Sequence, residues 1–195
     1  MLRHLLIWII LGVFSLVHTG CGSSEAQDDL RKYNSFNPSS DFVLKDQDGR
    51  DFHLKDHRGK TVILFFGYLS CPDICPTTLS KLARVYKLLG TDQEKVLTVF
   101  VTVDPERDSP SKLKEYLEYF SIKAVGLTGT KAEVDEVVEA YGASYEKVYG
   151  EGKNYLMNHS DYLYLINGEG KVCHLFRPED RVQKITDAVK KYLKS

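Results

Sequence analysis

Two cysteines in the middle of the chain have the residue type and the spacing that could do chemistry. Cys71 and Cys75 belong to the segment CPDIC at residues 71–75, with three residues between them. Two thiolates held close together can form a disulfide or bind a soft metal such as Cu(I), zinc or the iron of an iron–sulfur cluster. A purely stabilising disulfide is a weaker interpretation, because it would close a very short loop and gain little loop entropy. The pair therefore predicts a redox or metal site.

The segments around the cysteines predict where in a fold they lie. The apolar run TVILFF at residues 61–66 has strand length and precedes them directly. After them, apolar side chains recur at helical spacing, at Leu79, Leu82, Ala83 and Tyr86. The pair is then at the carboxyl end of a strand and the N-terminus of a helix, where α/β sheets place their sites. A helix N-terminus favours negative charge, so we expect a lowered thiol pKa. If the segment is helical, both sulfurs lie on one face.

Two β-hairpins and a second buried strand complete the predicted sheet. The hairpins are expected over residues 41–54 and 161–176, where alternating segments flank Asp48-Gly49 and the sequence NGEG at 167–170. The apolar run VLTVFVTV at residues 96–103 is typical of a strand that is buried on both faces.

Helical spacing predicts three more helices, at about 113–120, at about 134–141 and from Pro178 to about Leu193. The order is hairpin, β, α, β, α, α, β, β, α. This order predicts an α/β, thioredoxin-like fold with an N-terminal β-hairpin and an added helix in the middle.

The composition excludes some classes of protein. Lys plus Arg total 26 and Asp plus Glu total 27, for a net charge of −1, which argues against a nucleic-acid-binding protein. Hydrophobic residues make up 43% and charged residues 27%, as in ordinary globular proteins. Four cysteines in 195 residues are too few for a disulfide scaffold.

The first residues predict an export leader. Arg3 is followed by an apolar stretch from Leu5 to Val17, which is shorter than the ~20 residues that span a bilayer. Thr19-Gly20-Cys21 resembles a bacterial lipobox, in which the cysteine is lipidated, although His18 stands where Leu is usual. An uncleaved anchor is the alternative. We expect a protein lipid-anchored to the cell membrane at Cys21, with its domain on the extracytoplasmic side.

The chain therefore divides into three parts. Residues 1–20 are the predicted signal or lipoprotein leader, and residues 21–40, rich in Ser, Asn and Asp, form a predicted tether. Residues 41–195 form the predicted thioredoxin-like domain, which has the size of an ordinary single domain.

Three segments together resemble the Sco/SenC family of copper-binding, thioredoxin-fold assembly proteins. They are FFGYLSCPDICPT at residues 65–77, FVTVDPERDSP at residues 100–110, and His159-Ser160 ahead of YLI at 164–166. DQDG at residues 46–49 also fits the family's first hairpin. The resemblance covers almost the whole predicted domain.

The resemblance implies that a histidine completes a copper site with Cys71 and Cys75, and the matching position is His159. Two thiolates and one imidazole make a soft site that can hold Cu(I) and also support Cu(II). A lone loop histidine is commonly exposed and inert, but the cysteines favour a ligand here. The family often has Asp before this histidine, where this chain has Asn158, so a charged role at that position is open.

Other residues are weaker candidates. Cys173 lies in a predicted strand and is expected to pack as a small apolar residue. Met157 could be a soft axial ligand, but packing is the more common role. The sequence suggests no partner for His53 or His57, and His174 is expected on the opposite face of the strand from Cys173, partly exposed.

The segment DPERD at residues 104–108 ends the second central strand, at the same sheet edge as the cysteines. It can be a turn in which Asp108 or Ser109 caps the helix that Pro110 opens. It can also form a wall of the copper site or a surface for a partner. Both interpretations are open at the level of sequence.

The resemblance implies assembly of the copper centre of cytochrome c oxidase, with the oxidase's copper-binding subunit as the partner. A copper metallochaperone would carry copper and transfer it by ligand exchange. Alternatively, a thiol-disulfide oxidoreductase would use Cys71 and Cys75 to reduce the cysteines of that subunit. Both activities need deprotonated thiolates.

Two features favour copper over thiol chemistry. Thioredoxin-type enzymes usually have two residues between their cysteines, and this chain has three. They also place a proline beside the cysteines, and residues 111–177 contain no proline. A peroxiredoxin would have Pro and Thr shortly before its reactive cysteine, whereas residues 61–70 contain no Pro and one Thr, Thr61.

Overall fold

The computed structural model describes residues 41–150 and 154–193. The predicted leader, the predicted tether and Cys21 lie outside the described residues. Nine strands are present in the described part: β1 Val43–Asp46, β2 Asp51–His53, β3 Thr61–Gly67, β4 Val96–Thr102, β5 Ala124–Thr128, β6 Tyr145–Tyr149, β7 Tyr155–His159, β8 Leu163–Ile166 and β9 Val172–Phe176.

Seven of these strands form one mixed sheet, in the order β2-β1-β5-β4-β3-β8-β9. Strands β3, β4 and β5 are parallel, and the two predicted hairpins add antiparallel strands at the two sides. Every residue of β3 and β4 is buried, as their continuous apolar runs predicted. The carboxyl ends of β3 and β4 therefore lie at one edge of the sheet, next to each other.

The four α-helices of the described residues are α1 Ile74–Leu89, α2 Pro110–Glu118, α3 Lys131–Ala140 and α4 Val182–Tyr192. Leu79, Leu82 and Tyr86 are buried on α1, which confirms the face predicted from their spacing. At the start of α2, the Ser109 hydroxyl accepts a hydrogen bond from the Lys112 amide, which confirms Ser109 as its cap. Two short 3₁₀ helices span Leu54–His57 and Gly90–Lys95.

The last helix begins four residues later than predicted, at Val182 instead of Pro178. Asp180 closes a turn before it, since its carboxylate accepts from the Arg177 amide and its own amide donates to the Arg177 carbonyl. The Lys81 ammonium also binds the carbonyl oxygens of Pro178 and Asp180. The Arg177 carbonyl accepts a hydrogen bond within the turn, and the Pro178 and Asp180 carbonyls accept from Lys81. The helix therefore begins after these residues.

Three strands were missed by the sequence analysis. Strand β5 has only five residues and contains Gly126, which weakens the sequence signal of a strand. Its few apolar residues are not separated clearly from those of the helices on either side. Within the part of the chain that the structure describes, strands β6 and β7 pair only with each other and are half exposed, so they carry no continuous apolar run. His159, expected in a loop, is the last residue of β7.

Within residues 41–150 and 154–193, no helix combines the length and the apolar character needed to cross a membrane.

Candidate metal centre

The two cysteines lie on a turn that joins β3 to α1. Cys71 is in the turn, and Cys75 is the second residue of the helix. The Cys75 amide donates to the Cys71 sulfur at 3.4 Å, so the sulfur accepts from one of the amides that a helix start leaves without an internal partner. Pro76 occupies the third helical position, where its missing N–H costs nothing. The two sulfurs therefore meet because the turn folds back, not because they share a helical face.

His159 approaches the same point from the end of β7. Its Nε2 atom lies 3.6 Å from the Cys75 sulfur, although 84 residues separate the two in the chain. Its Nδ1 atom lies 2.9 Å from the Ser160 carbonyl oxygen, which can only accept a hydrogen bond. Nδ1 therefore carries the proton, and the Nε2 lone pair faces the sulfurs. This arrangement is typical of a metal-binding histidine.

The three possible ligand atoms of Cys71, Cys75 and His159 all lie within 4.8 Å of one another. Cys75 is fully buried, whereas Cys71 and His159 are partly buried. The rings of Phe65 and Tyr68 meet the imidazole edge to face, with centroids 6.2 and 5.7 Å away. The cluster is thus apolar on its inner side and partly open to solvent at His159.

Burial raises the pKa of the Cys75 thiol above its ordinary value, and neighbouring Cys71 raises it further. The expectation of a lowered pKa is wrong for Cys75, because desolvation of the thiolate outweighs the helix N-terminus. A cation bound at the sulfur would supply the missing compensation and displace the proton.

Gly67, the last residue of β3, lets these groups approach closely. A Cβ atom there would lie 2.8 Å from the Phe100 ring and 3.0 Å from the Cys75 sulfur. A larger side chain cannot fit without displacing one of them, so glycine is required by the packing at this point.

Asp108 supports the cysteine turn from the neighbouring strand end. Its carboxylate accepts hydrogen bonds from the Leu69 amide at 3.0 Å and from the Thr102 hydroxyl at 2.6 Å. Burial raises the pKa of Asp108. The helix-cap prediction is thus confirmed for Ser109, directly after the DPERD segment, and Asp108 supports the cysteine turn through the Leu69 amide.

Among the weaker candidates, Cys173 and the three other histidines lie outside the cluster. The Cys173 thiol donates to the Leu165 carbonyl at 3.3 Å, and this residue is partly buried on β9. Met157 is buried in the core, in agreement with a packing role. His53, His57 and His174 are likewise not part of the one ligand cluster found among the described residues.

Sequence reasoning missed the contacts that hold β7 in place. Tyr155, the first residue of β7, binds Asp104 and Arg107. Asp104 and Arg107 belong to the DPERD motif, which marked them as candidates for a structural or functional role. No sequence pattern indicated Tyr155 as the residue that they bind.

The fold and the cluster together define a class: an α/β domain with a soft two-cysteine, one-histidine site at the edge of its sheet. The family model described as SCO1/SenC matches residues 31–194, and the chain belongs to this family. An SCO2-like protein of Rickettsia conorii is 41% identical over 138 residues, which cover 70% of this chain and 67% of the relative.

Solved structures agree with this assignment. The copper-bound ScoI of Bradyrhizobium japonicum superposes with a TM-score of 0.74 at 36% identity, covering 79% of this chain and 98% of its own. Copper-bound yeast Sco1 gives a TM-score of 0.72 at 34% identity, covering 80% and 88%. These neighbours confirm the predicted thioredoxin-like fold.

Proposed function

We propose that this protein is a copper metallochaperone that assists assembly of the copper centre of cytochrome c oxidase. The observation that carries the proposal is the convergence of the Cys71, Cys75 and His159 ligand atoms within 4.8 Å. Copper is the cargo, held by two thiolates and an imidazole. The copper-bound structures of similar proteins support the same metal.

The donor set fits copper and differs from that of a closed structural zinc site. Soft thiolates suit Cu(I), and an imidazole adds a ligand that suits Cu(II) as well. Structural zinc sites are closed by four protein ligands, whereas the cluster of the described residues offers three Cys, His, Asp or Glu ligands. Three ligands and an open side fit a metal that has to be released.

Ligand exchange with the copper-binding subunit of the oxidase is the transfer step of this proposal. The partly exposed Cys71 and His159 offer the incoming ligands a route to the metal, while Cys75 remains buried behind them. The thiol-disulfide oxidoreductase alternative would use the same two sulfurs. The imidazole beside Cys75 favours copper, because disulfide exchange needs two thiols and no third ligand.

The proposal includes a subcellular localisation: the protein is anchored to the cell membrane by a lipid on Cys21, and its domain lies on the extracytoplasmic side. The apolar stretch from Leu5 to Val17 and the segment Thr19-Gly20-Cys21 support it.

The test is a Cu(I) competition titration of the reduced protein and three variants. Cys71→Ser, Cys75→Ser and His159→Ala are each expected to abolish stoichiometric tight binding, because each removes one of three ligands. Cys173→Ser is the matched control and should bind one copper as the parent does. Retention of tight binding by His159→Ala would refute the three-ligand site.

A further inference from the structure

Strands β6 and β7 form a two-stranded ribbon that carries His159 but stands apart from the main sheet. No strand of the seven-stranded sheet pairs with this ribbon in the described residues. At its base, the Ser160 amide donates to the Ser144 carbonyl at 2.9 Å, and the Ser144 amide donates to the Ser160 hydroxyl at 3.0 Å. The position of His159 therefore depends on these bonds, on the burial of Met157 in the core, and on side-chain contacts farther along the ribbon.

The strongest of these contacts hold Tyr155, at the other end of β7. Its hydroxyl donates to Asp104 Oδ1 at 2.9 Å, and its carbonyl accepts from Arg107 Nη1 at 3.0 Å. The Arg107 guanidinium also lies 3.7 Å from the centroid of the Tyr155 ring, within the range of a cation–π contact. We call this set, Asp104, Arg107 and Tyr155, the latch.

Burial and ionic contacts restrict the side chains of the latch. Asp104 is 1% exposed and forms an ion pair with Arg107. A buried carboxylate of this kind is held by its cation, and the cation is in turn held over the ring. On the opposite strand, Lys147 binds Glu106 at 2.6 Å and lies 4.7 Å from the centroid of the Tyr155 ring. One turn therefore contacts both strands of the ribbon.

We propose that Asp104 and Arg107 are positioning residues that hold His159 beside Cys75 by fixing Tyr155. The proposal rests on the proposed copper function. Tyr155 and His159 are the first and last residues of β7, about 13 Å apart at 3.3 Å per residue. Holding one end of a paired strand restricts the other end, so the latch keeps the imidazole within reach of the sulfurs.

The quantity that the latch controls is the fraction of molecules in which His159 faces the cysteines. Apparent affinity for a ligand falls in proportion to the fraction of protein that is competent to bind it. Breaking the latch lowers this fraction. The loss cannot exceed the loss caused by removing the imidazole itself, and it must vanish when the imidazole is absent.

The experiment is a double-mutant cycle on the full chain, with Cu(I) competition titrations as the measurement. Tyr155→Phe removes the hydroxyl but keeps the ring, and we expect an affinity loss of about fivefold, the factor that one ordinary hydrogen bond is worth. Arg107→Lys keeps a positive charge for Asp104 but cannot maintain the forked contact, so the loss should be larger, about tenfold. The His159→Ala protein keeps only the weaker binding of its two thiolates, which the competition titration still measures, and neither change should weaken this residual binding further.

Tyr149→Phe is the matched control, because Tyr149 lies opposite Tyr155 on the ribbon and is 69% exposed. It should bind copper as the parent does. Circular dichroism establishes that each variant is folded. If Arg107→Lys unfolds because the buried Asp104 loses its contact with the guanidinium, Tyr155→Phe still tests the latch with that ion pair intact.

The outcomes separate the latch from the proposed function. Unchanged affinity in Tyr155→Phe and Arg107→Lys, with a clear loss in His159→Ala, overturns the latch and leaves the copper site standing. Losses that persist at full size in the His159→Ala background also overturn it, because the residues then act on something other than the histidine. Full affinity in His159→Ala refutes the three-ligand site itself.

Discussion

At the scale of single residues, the proposed copper site combines one buried ligand with two that are partly open to solvent. Burial raises the pKa of the Cys75 thiol, so in the metal-free protein this sulfur holds its proton at neutral pH. Copper binding then releases that proton, because the thiolate is the form that binds the metal. The metal-free Cys75 is thus a protonated thiol, not a free thiolate nucleophile, until a cation displaces its proton.

Gly67 provides a test of how closely the groups around Cys75 are packed. Gly67→Ala places a methyl group 2.8 Å from the Phe100 ring and 3.0 Å from the Cys75 sulfur, so we expect both groups to shift. The expected result is a loss of about 1–3 kcal/mol in the free energy of unfolding, the usual cost of overpacking, together with weaker copper binding. Urea denaturation and Cu(I) titration measure the two effects.

Gly126→Ala is the matched control for this substitution. A Cβ atom there would be equally close to side chains, 2.8 Å from Leu117 and 3.0 Å from Leu113, but these belong to the contact between β5 and α2. It should cost similar stability and leave copper affinity unchanged. If the two variants bound copper equally well, the close packing at Gly67 would have no bearing on the site.

At the scale of elements, the turn between β4 and α2 connects the two parts of the proposed site. Asp108 holds the cysteine turn through the Leu69 amide, while Asp104 and Arg107 hold β7 through Tyr155. A segment of five residues thus fixes both the thiolate and the imidazole sides. Three of the four charged residues of the motif, Asp104, Arg107 and Asp108, are accordingly buried or half-buried, whereas Glu106 is exposed.

His174 on strand β9 should make the free energy of unfolding depend on pH. Burial lowers the pKa of His174 below its ordinary 6.5, nearby Lys184 lowers it further, and Asp180 opposes the shift. A depressed pKa means that the folded state favours the neutral ring. The contribution of His174 is therefore complete above about pH 6.5, and it is lost as the pH falls through the lower pKa of the folded state.

We expect the metal-free protein to lose stability relative to His174→Leu as the pH drops below about 6.5, with a slope of at most ~1.4 kcal/mol per pH unit for one proton. Leu has a similar size and does not titrate. Urea unfolding of both proteins at several pH values measures the difference. A constant difference across this range would show that His174 titrates alike in the folded and unfolded states.

At the scale of the whole molecule, the proposed function requires the domain to stay close to a membrane-bound partner. We expect Cys21→Ser to move the protein from the membrane fraction to the soluble fraction and to abolish incorporation of labelled fatty acid, because the proposed lipid attachment site is gone. Cell fractionation with metabolic labelling measures both. Continued membrane association without labelling would instead favour the uncleaved anchor.

Much of the fold could be predicted from the sequence, because the signals are local. The strands at residues 61–67 and 96–102 follow from continuous apolar runs, and the face of α1 follows from helical spacing. The start of α4 was placed four residues early, because the Lys81 ammonium that binds the Pro178 and Asp180 carbonyls is distant in the chain. Strand β5 was missed for lack of a strong local pattern.

The sequence by itself determined the chemistry available to this protein: two cysteines after a buried strand, and a histidine whose importance followed from family resemblance. Tertiary structure alone decided that His159 Nε2 meets the Cys75 sulfur, that desolvation reverses the expected shift in the thiol pKa, and that Tyr155 joins Asp104 and Arg107. The physical reason is distance along the chain. Spacing patterns report neighbours within a few residues, whereas these contacts join residues 84 and 51 positions apart.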